Sequence, residues 1–218
     1  MLLKRLLELL FPPKCVLCRK VLRGAQTDLC HECRATAPVF TARQEKLRYI
    51  SGFTAVWFYE DLVRGSLLRY KFYHARSYCE PYGRLLAMRI HQAFERNADV
   101  ITWVPVGPKR RRKRGYDQVE LIAEQVSLEL GIPAVKLLDK PRDNPPQSGI
   151  PNAEARRANV LGMYRAVHPE WIRDKRVLLL DDIVTTGATV SECTRVLLSA
   201  GAKQIDCAAV AAGRNQKQ

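Results

Sequence analysis

Val177-Leu178-Leu179-Leu180-Asp181-Asp182-Ile183-Val184-Thr185-Thr186-Gly187-Ala188-Thr189 reads as an apolar strand that runs into two adjacent carboxylates. A hydroxyl-rich turn with one glycine follows. Residues 188–200 then show helical spacing, with Val190, Cys193, Val196 and Leu197 inward and Gly201 as a stop. Thr185, Thr186 and Thr189 offer hydroxyls, and Gly187 lets the backbone approach an anion closely. The helix start at Ala188 aims free N–H groups and a positive dipole end at the same point. A phosphate monoester fits there. Asp181 and Asp182 come just before that cradle. They can accept hydrogen bonds from two vicinal hydroxyls, or hold a Mg²⁺ that bridges to phosphate oxygens. The competing reading makes them simple loop caps, but a buried strand ending in two acids is expensive without partners. The pattern suits a sugar with phosphate at one end and hydroxyls in the middle.

Working outward, residues 53–59 are aromatic and β-branched and predict a strand. Asp61 is placed to cap a helix that runs to Phe72, and residues 81–96 predict a second helix. Residues 100–106 form a buried-type strand, and 117–131 a helix opened by the Asp117/Glu120 pair and closed by Gly131. Short strands are expected at 134–138 and 160–164, and a last one at 205–211. Strands alternating with helices imply an α/β domain with a mostly parallel sheet. Ligands in such sheets sit beyond the carboxyl ends of the strands.

A second loop leaves such a strand end. Gly107-Pro108 is followed by an unbroken run of cations, Lys109-Arg110-Arg111-Arg112-Lys113-Arg114, then Gly115-Tyr116. Such a run is often a disordered arm or a nucleic-acid patch. Its place between a strand and a capped helix favours an ordered role as well. Pyrophosphate needs this density of charge-assisted donors, yet the run exceeds that need. Two or three cations would serve the small anion and the others face a polyanion.

Four of the seven cysteines form two CxxC knuckles, Cys15/Cys18 and Cys30/Cys33. Two knuckles close a tetrahedron of thiolates around zinc with no open position, so the metal's role is structural. Two disulfides or four inert thiols are the alternatives; an intracellular chain argues against the first and the paired spacing against the second. His31 is not needed as a ligand. Cys79, Cys193 and Cys207 look like small apolar fillers. The zinc-binding module is expected to occupy residues 1–48 and the larger domain residues 49–218. The module is too small to bury a core without its metal.

The chain's 218 residues, 47% apolar, suffice for one domain plus a small appendage. Its 36 Lys and Arg against 22 Asp and Glu give a net charge of +14, which points to nucleic acid or an anionic membrane surface as a second partner. The bland alternative is a protein that is merely basic. No segment reaches the ~20 apolar residues of a membrane span. Leu2, Leu3, Leu6, Leu7 and Leu10 fall at helical spacing before Pro12 and Pro13. That turn or two would pack on the protein or insert shallowly into a membrane face. It makes a poor signal peptide, with charges inside it and no small-residue cleavage site.

The strand, acid pair and TTGAT turn together resemble the phosphoribosyl pyrophosphate (PRPP) motif of type I phosphoribosyltransferases. The chain has neither a GxxxxGK[ST] loop nor a GxGxxG turn after a strand. The four cysteines, Tyr70-Lys71, Val104-Pro105-Val106, Lys113-Arg114-Gly115-Tyr116-Asp117-Gln118, Gln147, Arg156-Arg157-Ala158-Asn159-Val160 and Leu179-Leu180-Asp181-Asp182 narrow this further. Together they are similar to the bacterial ComF/ComFC competence family, a zinc finger fused to a phosphoribosyltransferase domain. The resemblance covers essentially the whole chain beyond the first dozen residues.

That resemblance implies a type I phosphoribosyltransferase-like α/β domain behind a small four-cysteine zinc module. Asp181 and Asp182 would be the catalytic acids. Thr185, Thr186, Gly187, Ala188 and Thr189 would bind the ribose 5-phosphate end of PRPP, and Lys109, Arg110, Arg114 and Gly115 its pyrophosphate, with Mg²⁺. Cys15, Cys18, Cys30 and Cys33 would hold zinc. Residues 141–164 would be a mobile loop closing over the site, with Gln147, Arg156, Arg157 and Asn159 as its polar candidates. The family usually has Gly where Phe72 stands and Asn where Asp117 stands. The first departure bears on a close backbone approach at that turn, the second on the charge near pyrophosphate.

Three functions fit this resemblance: transfer of ribose 5-phosphate to an unidentified acceptor, handling of single-stranded DNA in natural transformation with PRPP as ligand or regulator, and PRPP binding without turnover. No hood for an acceptor base is apparent; Phe53, Trp57, Phe58 and Tyr59 read as core. Single-strand binding would use Arg69, Lys71, Arg76, Arg84 and Lys113 interleaved with Tyr70, Tyr73, Tyr78, Tyr82 and Tyr116. The resemblance also implies a cytoplasmic protein at the inner face of the inner membrane, near the competence machinery.

Overall fold

The computed structural model describes residues 12–41, 47–73, 75–94, 98–144 and 153–214. The N-terminal leucine-rich turn and Gln147 lie outside them.

Four strands make an all-parallel sheet: β1 (Gly52–Phe58), β2 (Val100–Trp103), β5 (Arg176–Val184) and β6 (Gln204–Ala212), in the order β1-β6-β5-β2. The apolar run at 177–180 therefore sits centrally, paired with Ile205–Ala208 on one side and Val100–Trp103 on the other. A strand covered on both faces needs no polar alternation, which explains its sequence. Successive side chains still face opposite ways. Leu178 and Leu180 enter one core with α2 (Asp61–Phe72), α3 (Cys79–Ala93) and α5 (Gln118–Leu130). Val177 and Leu179 enter the other with α7 (Ala188–Ser199) and Val160 of α6 (Ala153–Val160). On the first face, a Cβ on Gly83 would stand 2.4 Å from Gln125 Cβ, so glycine is what lets α3 and α5 approach this closely.

Several expected elements fall differently. The strand at 100–106 ends at Trp103. The Val104 N–H still reaches Leu180 O at 2.9 Å, but Pro105 has no N–H to continue the ladder. At 134–138 only Ala134 bridges β2, opposite Ile101. A separate short strand, β3 (Leu138–Asp139), pairs antiparallel with β4 (Arg165–Ala166). The strand expected at 160–164 is instead the end of α6 and the turn after it, since a short apolar stretch fits either period. Asp61 is the first residue of α2 and Glu60 its N-cap. Asp117 caps α5 as expected, accepting the N–H groups of Val119 and Glu120, while the Glu120 carboxylate turns to Arg111 at 3.5 Å.

The basic loop is a helix, α4 (Pro108–Arg114), preceding the Gly115 stop in the left-handed region at φ 80°. Proline at the first helical position and glycine just past the end are the ordinary boundary signals. They stood in the sequence, hidden by the charge run between them.

The knuckle segment joins the first core through Cys15, Val16, Leu17, Cys30 and Cys33 (α1 is His31–Thr36). It docks on α2 and α3 by polar bonds. The Ser66 hydroxyl bonds Val16 O and also lies 2.6 Å from Tyr82 Oη. Arg69 donates to Leu17 O, and Arg84 forks onto Asp28 with a shortest contact of 2.6 Å. Tyr70 and Tyr82, expected as stacking platforms for a strand of DNA, are fully buried here at a ring distance of 5.5 Å. Their apolar faces build the core that receives the knuckles. They are unavailable to nucleic acid.

Candidate functional site

A cavity of about 680 Å³ opens at the carboxyl ends of β2 and β5. Its wall includes Asp181, Asp182, Thr185, Thr186, Gly187, Ala188 and Thr189 together with Arg110 and Arg114. Two expected members lie elsewhere. Lys109 is exposed, and its backbone N–H donates to Asp143 Oδ2 at 2.8 Å. Gly115 is exposed and serves as the stop of α4. Both follow from the run being helical, which turns these positions away from the cavity.

The two acids are buried, 8% and 4% exposed, and their surroundings differ. Asp182 continues the Leu178–Leu180 row by strand alternation. It meets Lys71 Nζ at 2.7 Å, from the last turn of α2, and accepts Gln118 Nε2 at 3.0 Å, from the start of α5. Arg114 Nη1 in turn donates to Gln118 Oε1 at 2.6 Å. Asp181 continues the opposite row. Its Oδ1 accepts the Asp182 N–H at 2.8 Å. Burial, and then the charge of Asp182, push its carboxyl well above the usual range against the pull of Lys71.

Gly187 adopts φ +73° at the entry to α7. A Cβ there would lie 2.3 Å from Leu47 Cδ2, so the bare backbone makes room for that side chain as well as for the turn. Around the acids stand Lys71, Arg110, Lys113, Arg114, Lys140 and Arg156, so the wall is net positive. Asn144 also lines the cavity; its Nδ2 donates to Asn159 O at 2.9 Å, and its buried Oδ1 has no partner among the described residues. Phe72 is 60% exposed at the wall with the Arg114 guanidinium 5.2 Å from its ring centre. The bulk at that position is thus turned outward as a platform. Asp117 is not part of the wall: buried, it accepts Val106 N–H at 3.0 Å besides its two cap bonds, and adds no acceptor to the cavity.

Sequence reading misses Lys140 and Tyr164, quotes Gln118 without a role, and assigns Lys71 to single-stranded DNA, whereas its ammonium pairs with the buried Asp182. Lys71 and Gln118 carry a usable signal, since each closes or opens a helix beside a strand end. Lys140 and Tyr164 lie at short strands with no motif around them.

The four thiols of Cys15, Cys18, Cys30 and Cys33 all lie within 4.8 Å of one another, with Cys18 and Cys30 Sγ 3.6 Å apart. A tetrahedral zinc with Zn–S of about 2.3 Å needs such spacing. The donor set fits the metal and leaves no open ligand position.

The phosphoribosyl transferase domain family matches residues 84–218, more than half the chain. The chain belongs to that family. A double zinc ribbon domain matches residues 6–44 and accords with the thiol cluster. The resemblance to the ComF/ComFC family is also borne out by named relatives. Competence protein F of Haemophilus influenzae is 32% identical over 55% of this chain and 52% of its own length. Competence protein ComFC of Streptococcus pneumoniae is 28% identical over 69% of this chain and 64% of its own length. DNA utilization protein YhgH of Escherichia coli O157:H7 is 30% identical over 49% and 46%. The chain thus spans roughly half to just under two thirds of these relatives. Among the described residues no helix is long and apolar enough to cross a membrane.

Both sites of this phosphoribosyltransferase-family chain can be tested through its stability. Stripping zinc with a chelator should lower the melting temperature by more than roughly 5 °C, because the metal closes a module that shares its core with α2 and α3. Calorimetry with and without re-added zinc measures it; no shift would remove the metal from the fold. Asp181→Asn should raise stability at neutral pH by on the order of 1 kcal/mol, read as about 3 °C. The native carboxyl holds its proton more tightly than the unfolded one, so it detracts from stability as pH rises above the ordinary carboxylate range. Melting curves against pH should show the gain vanish once both forms are protonated below about pH 4.

Proposed function

We propose that this chain is a PRPP-binding protein of the phosphoribosyltransferase family that acts in DNA uptake and handles single-stranded DNA. In this reading residues 1–48 are the zinc-binding module and 49–218 the PRPP-binding domain. The observation that carries it is the convergence of Asp181, Asp182, the 185–189 turn and the cation-bearing helix α4 on one cavity. The turn and the first N–H groups of α7 take the 5-phosphate. The acids accept the ribose hydroxyls, Asp182 sharing its charge with Lys71. Arg110, Lys113 and Arg114 face the diphosphate. Mg²⁺ accompanying PRPP would supply positive charge to the departing diphosphate. The protein's own share is to fix the ring between the acids, to offset positive charge at the anomeric carbon, and to keep water out.

The DNA half of the reading is supported by the names of the relatives, by the +14 charge and by the cavity mouth. There Phe72 and Tyr73 are 60% and 75% exposed, Arg114 lies over Phe72, and Arg76 lies 5.7 Å from the Tyr116 ring centre. Exposed rings beside cations suit a sequence-tolerant single strand.

Calorimetry with PRPP and Mg²⁺ should show saturable binding by the wild type and none by the Asp181→Ala, Asp182→Ala double variant. Equal binding by both would sink the assigned pocket. Single-stranded DNA binding should weaken steeply with salt. Arg111→Ala with Arg112→Ala, both on the outer side of α4, should flatten the slope of log affinity against log salt by about 0.7 for each phosphate no longer neutralised. An unchanged slope would take α4 out of the DNA footprint.

A further inference from the structure

The cavity holds one buried cation that the reading above leaves without a task. Lys140 follows β3 and is 6% exposed. Among the described residues its ammonium forms no ion pair. Its hydrogen-bond partner is the Tyr164 hydroxyl at 3.2 Å, and Nζ lies 5.0 Å from the centre of that ring. Tyr164 is 7% exposed and, having accepted this bond, keeps its own O–H to donate. Both residues line the cavity.

A buried ammonium without a counter-ion is costly, and a methionine or leucine would fill the place at lower cost. The charged and titratable groups acting on Lys140 come from four directions: Arg110 on α4, Asp143 on the segment after β3, Asp181 on β5 and Cys193 on α7. Burial first, then Arg110, hold the amine down to about 8, while the two carboxylates pull the other way. Burial pushes the Tyr164 phenol up, so it stays protonated. The pair therefore presents donors only. Lys140 feels both Asp181 and Arg110, the acid assigned to the ribose and the cation assigned to the diphosphate.

We propose that Lys140, with the Tyr164 hydroxyl, is a ligand for the diphosphate of the bound sugar and for that group as it departs. The inference rests on the PRPP reading of the cavity. In the transfer step the bond from the anomeric carbon to the diphosphate oxygen breaks and its electron pair leaves on that oxygen. The acceptor's lone pair forms the new bond to carbon. Lys140 keeps its protons and donates hydrogen bonds to the diphosphate throughout.

The test separates the two halves of the ligand. Titration calorimetry is run with PRPP and Mg²⁺, with inorganic pyrophosphate and Mg²⁺, and with ribose 5-phosphate, on wild type, Lys140→Met and Tyr164→Phe. Lys140→Met should bind PRPP and pyrophosphate at least about tenfold more weakly, as expected when a charge-assisted bond is removed, and ribose 5-phosphate as the wild type does. Wild type at pH 8 should take up protons on binding pyrophosphate, seen by comparing buffers of different ionisation enthalpy, because the anion recharges the amine; Lys140→Met should take up fewer. The variant should melt no lower than wild type. Should it melt early, Tyr164→Phe carries the test, with a few-fold loss confined to PRPP and pyrophosphate. Unchanged pyrophosphate affinity, or an equal loss of ribose 5-phosphate, overturns the role of Lys140 and leaves the PRPP reading standing. Failure of the wild type to bind PRPP or pyrophosphate at all overturns both.

Discussion

A central parallel strand that ends in two buried carboxylates imposes the main constraint on this molecule. Two neighbouring acids cannot both lie charged and unpartnered at a sheet edge away from water. Strand alternation sends them to opposite faces, and each face answers differently. Asp182 is met by Lys71 and Gln118, from two different helices. Among the described residues Asp181 has one backbone donor, and burial drives it toward the neutral form. The site thus rests with one acid paired to side chains and the other held by a backbone N–H. Sugar hydroxyls donate to either form, so ligand entry can relieve this state instead of adding to it.

The helix that satisfies Asp182 also carries the zinc module. Ser66 and Arg69 of α2 hold the carbonyls of Val16 and Leu17, between the first pair of cysteines. Within the next turn, Tyr70 Oη donates to Gln118 O at 2.6 Å and Lys71 reaches Asp182. The same helix side that packs Leu67 and Tyr70 into the core therefore fixes two sites at once. Their joint position depends on α2 being rigid, and the buried Tyr70–Tyr82 pair and the Ser66–Tyr82 bond supply that rigidity.

Much of this is legible in the residues. The strand, acid pair, glycine turn and helix at 177–200 announce themselves because each has its own local chemistry: apolar run, charge, positive φ, helical spacing. Knuckle spacing does the same for the thiols. What escapes is what depends on packing between distant segments. Nothing near Tyr70 or Tyr82 says that they are buried; their interleaving with cations resembles a binding face until α2 meets α3. Lys140 and Tyr164 are brought together by a two-residue ladder, Leu138–Asp139 against Arg165–Ala166, too short to leave a periodic signal. Segment 160–164 misleads because its apolar residues suit a helix end as well as a strand.

The basic segment shows how secondary structure sorts charge. A loop of consecutive cations would present all of them to any anion nearby. As a helix, α4 separates them by spacing: Arg110, Lys113 and Arg114 fall on the cavity side, three and four residues apart, while Arg111 and Arg112 face outward. So short a helix built from like charges is poor on its own, since neighbours one turn apart repel. Its surroundings offset this. Asp143 accepts the Lys109 N–H at the dipole-positive end, Glu120 pairs with Arg111, Gln118 takes Arg114 Nη1, and the Phe72 ring lies beneath the Arg114 guanidinium. Each of these partners lies on an element that also frames the cavity or its rim. The helical form that divides the charge is therefore sustained by the pocket it serves, and an anion entering that pocket meets only the inward share.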